Sequence, residues 1–241
     1  MEQKLLSIGK AAKFLGVSIQ TLRRWDAAGK LKSFRPAPTS NRYYRREDIE
    51  LFINDVAAAG KNWAKNKIAA NPKGEYFCET KDVFEGRLVR LQNELAKKSE
   101  LLHLFPLIIS AAGEIGNNSF DHNLGAWPDI PGIFFGYDLE RKKIVLADRG
   151  QGVLHTLKRV RPSLKNHKEA IEVAFSEVIS GRAPEARGNG LKFVKKIITE
   201  NPMTLLFQSG DAELLLGKGD TKLRISAAAP DFHGCSAIIT Y

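Results

Sequence analysis

Three short stretches carry the residues of this chain that could do chemistry: Glu114-Ile-Gly-Asn-Asn118-Ser-Phe-Asp121-His122, Asp148-Arg-Gly150-Gln-Gly152 and Gly188-Asn-Gly190-Leu191. In the first, Glu114 and Asn118 stand four residues apart and Asp121 or His122 follows one turn later, so on a helix they share a face. Leu107, Ile108, Ala111, Ala112 and Ile115 lie behind them and can pack on a sheet. An asparagine oxygen is a hard donor that suits Mg²⁺, an ion that keeps several waters while it bridges phosphates. A carboxylate one turn earlier could orient or deprotonate a water. In the second stretch, Asp148 follows the apolar run Ile144-Val-Leu-Ala147 and can accept a hydrogen bond from an exocyclic amine such as adenine's. Gly150 and Gly152 let the backbone turn sharply beneath a ring. In the third, glycines that open a helix expose N–H groups and admit phosphate oxygens, with Arg182, Arg187 or Lys192 as sources of positive charge. Each stretch alone also fits a polar helix, a surface turn or an ordinary helix start. Their order carries the reading.

The elements that must position these residues follow from periodicity and breakers. Helix is predicted from Asp82 to His103, with Leu88, Leu91, Leu95 and Leu102 near one face, either packed within the chain or part of a dimer interface. Pro106 starts a second helix that runs to about Asn123. Strands are predicted at 132–139 and 143–147, a helix at 168–179, a helix from Gly188 to about Thr199, and short strands at 203–209, 212–216, 221–227 and 235–240. Helices on one side of a mostly antiparallel sheet predict a two-layer α/β sandwich.

The first sixty residues carry a different device. Ser7 can cap a first helix, Gly16-Val17 supplies a turn, and Ser18 can cap a second helix. Ile19, Leu22 and Trp25 are placed inward there, while Gln20, Thr21, Arg23 and Arg24 are placed outward. A helix that enters a major groove needs that division. Residues 31–44 form a basic wing with Arg35, Asn41, Arg42 and Tyr43, and Glu47-Asp48 starts a supporting helix. Residues 5–54 resemble the winged helix-turn-helix domains of the MerR and excisionase type. That resemblance implies Gln20, Thr21, Arg23 and Arg24 as groove readers, with Arg42 and Tyr43 on phosphates; Trp25 and Tyr44 are assigned to the core.

The three chemical stretches, taken in order, resemble the ATP-binding fold of histidine kinases, Hsp90-type chaperones, mismatch-repair and gyrase ATPases and anti-sigma kinases. The resemblance covers residues 80–241. It implies ATP and Mg²⁺ as cofactors, with Asn118 on the metal, Asp148 on adenine and Glu114 as general base. Asp121, Gly150, Gly152, Gly188, Gly190 and Leu191 complete the nucleotide site, and 153–187 form a lid. Relatives commonly open their last strand with Gly-Thr, whereas this chain has Gly234-Cys235. His103 stands only eleven residues before Glu114, which leaves no room for a phosphoacceptor bundle. The histidines and two cysteines show no metal-ligand spacing.

The fold expected is therefore α/β: a winged helix-turn-helix at 1–57, a linker at 58–79 and a histidine-kinase-like ATPase domain at 80–241. The net charge of +10 is densest at the start, with eleven Lys and Arg against six Asp and Glu in residues 1–60. A nucleic-acid footprint has that distribution, as does a solvated basic surface. With 43% apolar and 27% charged residues, no 18-residue apolar run and no secretory start, the chain reads as soluble and cytoplasmic, without a membrane partner. Double-stranded DNA, a second copy in a homodimer and a regulatory protein are the expected partners. The expected function is a nucleotide-responsive transcriptional regulator with slow ATP hydrolysis. The alternatives are an anti-sigma-like serine kinase and a non-enzymatic adaptor with a degenerate pocket.

Overall fold

Residues 133–136 and 144–148 are buried at every consecutive position, so the sheet there has two apolar faces to cover. The computed structural model describes residues 5–37, 40–53, 55–66, 71–72, 74–177, 190–229 and 232–241. It divides into two compact units, Met1–Asp55 and Val56–Tyr241. Among the described residues no helix is long and apolar enough to cross a membrane.

In the first unit, β1 (Leu5–Ser7) pairs antiparallel with β2 (Tyr43–Arg45). Between them run α1 (Ile8–Leu15) and α2 (Ile19–Ala27), and α3 (Arg46–Ile53) follows. Gly16 ends α1 with φ 66° and returns its N–H to the carbonyls of Ala12 and Lys13, a left-handed cap that glycine takes without a Cβ penalty. Ser18 caps α2 by accepting the Thr21 N–H at 3.0 Å. Ser7 precedes α1 without a side-chain cap bond. Ala11, Ala12, Leu22, Leu31, Tyr44 and Ile49 form the core. Ile19, expected inside, is 41% exposed. It is the first residue of α2, where Cβ tilts toward the N-terminus, away from the core under Leu22.

Among its described residues the second unit holds seven strands: β3 (Phe77–Cys78), β4 (Ile133–Asp138), β5 (Lys143–Asp148), β6 (Thr204–Ser209), β7 (Ala212–Gly217), β8 (Arg224–Ala227) and β9 (Cys235–Thr240). Their order is β3-β4-β5-β9-β6-β7-β8, and every described pairing is antiparallel. One face carries Phe135, Ile144, Leu146, Leu205, Phe207 and Ile239. It packs on Phe84, Leu91 and Leu95 of α5 (Lys81–Ala96), Ile108, Ala111 and Ile115 of α6 (Phe105–Asn123), and Val194, Ile197 and Ile198 of α9 (Gly190–Glu200). Here α5 ends earlier than expected and a 3₁₀ turn follows at Ser99–Leu101, so Leu102 leaves the apolar face and is 52% exposed. Two shorter helices, α7 (Gly152–Lys158), which the sequence reading did not anticipate, and α8 (His167–Ser176), share a small cluster around Leu157, Leu164, Ala170 and Val173.

The opposite face corrects two expectations. Residues 58–79 were read as a linker, but α4 (Val56–Lys65) and β3 occupy most of the described part of that stretch. Val56, Trp63 and Ala64 of α4 are buried against Phe134, Val145 and Ala147. The sandwich therefore gains a third layer over part of the sheet. The run Ala57-Ala58-Ala59-Gly60 resembles a spacer, yet small side chains are what allow this helix to lie close to the strands. A Cβ on Gly60 would stand 2.8 Å from Val145 Cγ1 and 3.0 Å from Phe134 Cδ1, and one on Gly136 would stand 2.4 Å from Val56 Cγ2.

Gly60→Leu should therefore lower the stability of the full chain by about 1–3 kcal/mol through overpacking. Leucine's helix propensity returns only about 1 kcal/mol of that. Urea unfolding measures the balance; a neutral or more stable variant would mean that α4 does not press on the sheet.

Candidate functional site

α6 supplies most of the site because its 19 residues present three stripes. One stripe is apolar and faces the sheet. The second holds Glu114 and Asn118, which meet the start of α9: a Cβ on Gly190 would lie 2.6 Å from Glu114 Oε2 and 3.3 Å from Asn118 Nδ2. A side chain at position 190 would have to displace the end of the Glu114 side chain, and glycine allows the close approach without that shift. Glu114 so stands by the N-terminal end of α9, where the helix dipole favours a negative charge. The third stripe holds Ser119 and Asn123, which reach the turn after β5.

Asp148 ends β5 and is 2% exposed. Its Oδ2 accepts from Ser119 Oγ at 2.7 Å, and its Oδ1 accepts from the N–H of Gly150 at 2.9 Å and of Cys235 at 3.2 Å. Burial pushes its carboxyl up to about 6, against the lowering effect of these three donors. Among the described residues Ser119 is the one donor to Oδ2, which leaves that oxygen's second lone pair without a protein partner. Burial first, and then the Asp148 charge, keep the Cys235 thiol well above its ordinary value, so it remains protonated and contributes through its backbone N–H.

The turn itself is fixed by a residue that the sequence reading missed. Asn123, 4% exposed, accepts the Gln151 N–H at 2.8 Å and donates to the Ser119 carbonyl at 2.7 Å. A Cβ on Gly150 would fall within 2.3 Å of the Asn123 amide, so the glycine is needed for close approach as much as for turning. Gly152 has φ 74° and begins α7, whose Val153 N–H bonds Ser209 Oγ at 3.0 Å. The Asn-Ser pair after Glu114 and the helical spacing of Ser119 and Asn123 were the available signals.

Arg149 was also missed, because it occupies the unassigned position of the turn. It is 4% exposed. Nε donates to Asp129 Oδ2 at 2.8 Å, and Nη1 donates to the carbonyls of Trp63 at 2.7 Å, Ala64 at 3.2 Å and Asn66 at 2.8 Å. It thus caps the C-terminal end of α4, whose last carbonyls have no partner within the helix. Burial alone would raise the Asp129 carboxyl, but bonds from Arg149 and the Ile130 N–H leave it below its ordinary value.

Of the other expected residues, Asp121 pairs with Lys81 Nζ of α5 at 3.2 Å. Leu191 packs against the sheet-facing core. Gly188, Arg182 and Arg187 lie outside the described residues. Among the described residues, no group of three or more His, Cys, Asp or Glu could hold a metal ion. The Asn118 amide oxygen, with Glu114 one turn before it, still fits Mg²⁺, which takes few protein ligands when phosphates supply the rest.

In the first unit, Gln20, Arg23 and Arg24 project from α2 as exposed side chains. The Thr21 hydroxyl is 2.9 Å from Ser18 Oγ and serves the helix cap. Arg42 is held by Asp26, which accepts its Nε–H at 2.7 Å and also accepts from the Ser33 N–H and hydroxyl, each at 2.8 Å. Burial raises the Asp26 carboxyl, but these bonds bring it below its ordinary value. Tyr43 is half-buried, and its backbone bridges Phe34. Tyr44 is wholly buried, with its hydroxyl 3.3 Å from the Leu22 carbonyl, and Trp25 packs on Phe52 at 4.9 Å.

Residues 7–44 match the MerR family regulatory proteins, so the first unit carries a MerR-type helix-turn-helix. A transcriptional repressor of Methylorubrum extorquens, DcmR, is 43% identical over 80 residues, covering 28% of this chain and 30% of that protein. A type II methyltransferase of Escherichia coli is 44% identical over 72 residues, covering 30% of this chain and 17% of that protein. The chain thus spans less than a third of either relative. Among solved structures, the ATPase region of Saccharomyces cerevisiae topoisomerase II matches at 14% identity and TM-score 0.36, over 54% of this chain and 36% of that one. The 43K ATPase domain of Thermus thermophilus gyrase B, in complex with an aminocoumarin, matches at 16% and 0.33, over 54% and 32%.

A raised carboxyl has a definite sign in folding. The native state holds the Asp148 proton more tightly than the unfolded chain does, so its contribution favours folding below about pH 4 and is lost as pH rises through about 6. The rise from 3.8 to about 6 bounds the effect at about 3 kcal/mol. Asp148→Asn should therefore gain stability over the parent at pH 8, keep about half of that gain at pH 5 and give up most of it near pH 4. Denaturant unfolding at these values decides; an equal difference at each pH would show that Asp148 is not the titrating group.

Proposed function

We propose that this chain is a DNA-binding transcriptional regulator whose second unit binds ATP with Mg²⁺ and hydrolyses it slowly. The observation that carries the reading is the meeting of three distant stretches at one helix: Glu114 and Asn118 against Gly190, and Ser119 against Asp148. The open position on Asp148 Oδ2 accepts the exocyclic amine of adenine, while Ser119, Gly150 and Cys235 hold the carboxylate in place. The start of α9 offers N–H groups to phosphate oxygens. Asn118 would hold Mg²⁺ through its side-chain oxygen, and the ion would neutralise phosphate charge when bound. Glu114 takes the proton of the attacking water at its carboxylate.

Asp148→Asn should weaken ATP binding at least about tenfold in calorimetry, the cost of a charge-assisted bond. Glu114→Ala should bind ATP and release no phosphate. Parent-like phosphate release from that variant would remove the base assignment.

The match to MerR regulators and the likeness to a transcriptional repressor favour DNA as the ligand of the first unit. Arg23 and Arg24 are the exposed cations of α2. Each change to Ala should weaken binding and reduce the slope of log affinity against log salt by about 1 if that residue meets a phosphate. Unchanged slopes in fluorescence anisotropy would move the contact elsewhere. Two heads in a homodimer would supply the affinity that one small module lacks; a monomer in sedimentation, both free and on DNA, would exclude that arrangement. Nucleotide is the switch in this reading, and DNA affinity that ignores saturating ATP–Mg²⁺ would count against it.

A further inference from the structure

Asp148 and Arg149 are neighbours whose side chains serve opposite sides of the sheet. Asp148 faces α6 through Ser119, while Arg149 reaches the α4 side and takes the carbonyls of Trp63, Ala64 and Asn66. Asp129 holds the guanidinium from the loop after α6. The turn is fixed at its other end by Asn123 on Gln151. The backbone that would sit beneath a bound ring is therefore the same backbone that aims the cap of α4. In the chain, α4 begins at Val56, directly after the last residue of the first unit, Asp55.

We propose that Arg149 is a positioning residue that makes α4 report nucleotide occupancy: filling the pocket at Asp148 locks the turn, and the locked turn holds the last turn of α4 shut. The proposal rests on the nucleotide reading above. The physical basis is linkage. A ligand that binds only the ordered turn also stabilises every contact that the ordered turn makes. Asn66 N–H bonds the Asn62 carbonyl at 3.1 Å at this end of the helix, and fraying would break that bond first. Arginine suits the task through its fork of donors, which a lysine ammonium lacks.

Hydrogen exchange on the full chain, followed by mass spectrometry with and without saturating ATP–Mg²⁺, tests this. In the parent, amides of residues 62–66 should exchange at least about threefold more slowly with nucleotide, with a ceiling of about 100-fold when free ATP is about 100 times Kd. In Arg149→Lys, and in Asp129→Asn, that nucleotide-dependent difference should vanish while β6 and β7 stay as protected as in the parent. The difference is the readout, because a merely structural role would alter exchange equally with and without ATP. If calorimetry shows ATP bound but residues 62–66 do not respond, the coupling is wrong and the nucleotide reading survives. Slowing that persists in Arg149→Lys overturns the proposal as well. No ATP binding by the parent removes the nucleotide reading, and the coupling with it.

Discussion

The second unit depends on a carboxylate that is out of water and nevertheless satisfied. Burying Asp148 is unfavourable for the charged form, and the fold offsets this with donors from three separate segments: Ser119 of α6, Gly150 of the turn and Cys235 at the start of β9. The β5–β9 register, with Ala147 opposite Ser236, is what brings the Cys235 N–H to the end of β5. Helical spacing then does the rest. With Ser119 beside the carboxylate, Asn123 falls beneath the turn, and Glu114 and Asn118 fall toward α9. One helix thereby meets both the end of β5 and the start of α9.

The other side of the turn is equally constrained. Arg149 is buried, and its guanidinium answers Asp129 and the carbonyl end of α4 together. Removing one partner of such a buried group typically costs about 3–5 kcal/mol, because the remaining charge stays out of water. The close approach at Gly60 and Gly136 brings α4 near enough for that reach. Packing on one face of the sheet and polar satisfaction at the strand end are thus parts of the same arrangement.

Much of this was legible in the residues. The α6 stripe, the strand before Asp148 and the glycine before Leu191 follow from 3.6-residue and two-residue periods and from breakers, which are local signals. The helix-turn-helix was legible for the same reason, with Gly16 and Ser18 marking its turn. What was hidden depended on partners distant in sequence. α4 reads as a spacer because its buried contact residues, Val56, Trp63 and Ala64, are scattered among small and polar ones, and they are noticed only beside Phe134 and Val145. Arg149 and Arg42 both look like free surface cations, until the carbonyls and carboxylates they meet are 16 to 86 residues away. Ile19 followed the periodic pattern but stands at a helix end, where periodicity no longer implies burial.

The account turns on Asp148 being a receptor for an amine rather than a self-contained polar knot. A crystal structure of the full chain grown with a non-hydrolysable ATP analogue and Mg²⁺ measures this directly. The adenine amine should lie within hydrogen-bonding distance of Asp148 Oδ2, with the phosphates beside Asn118 and the start of α9. An analogue bound on another surface, or a ring excluded while Ser119 alone keeps Asp148 company, would contradict the account at its root.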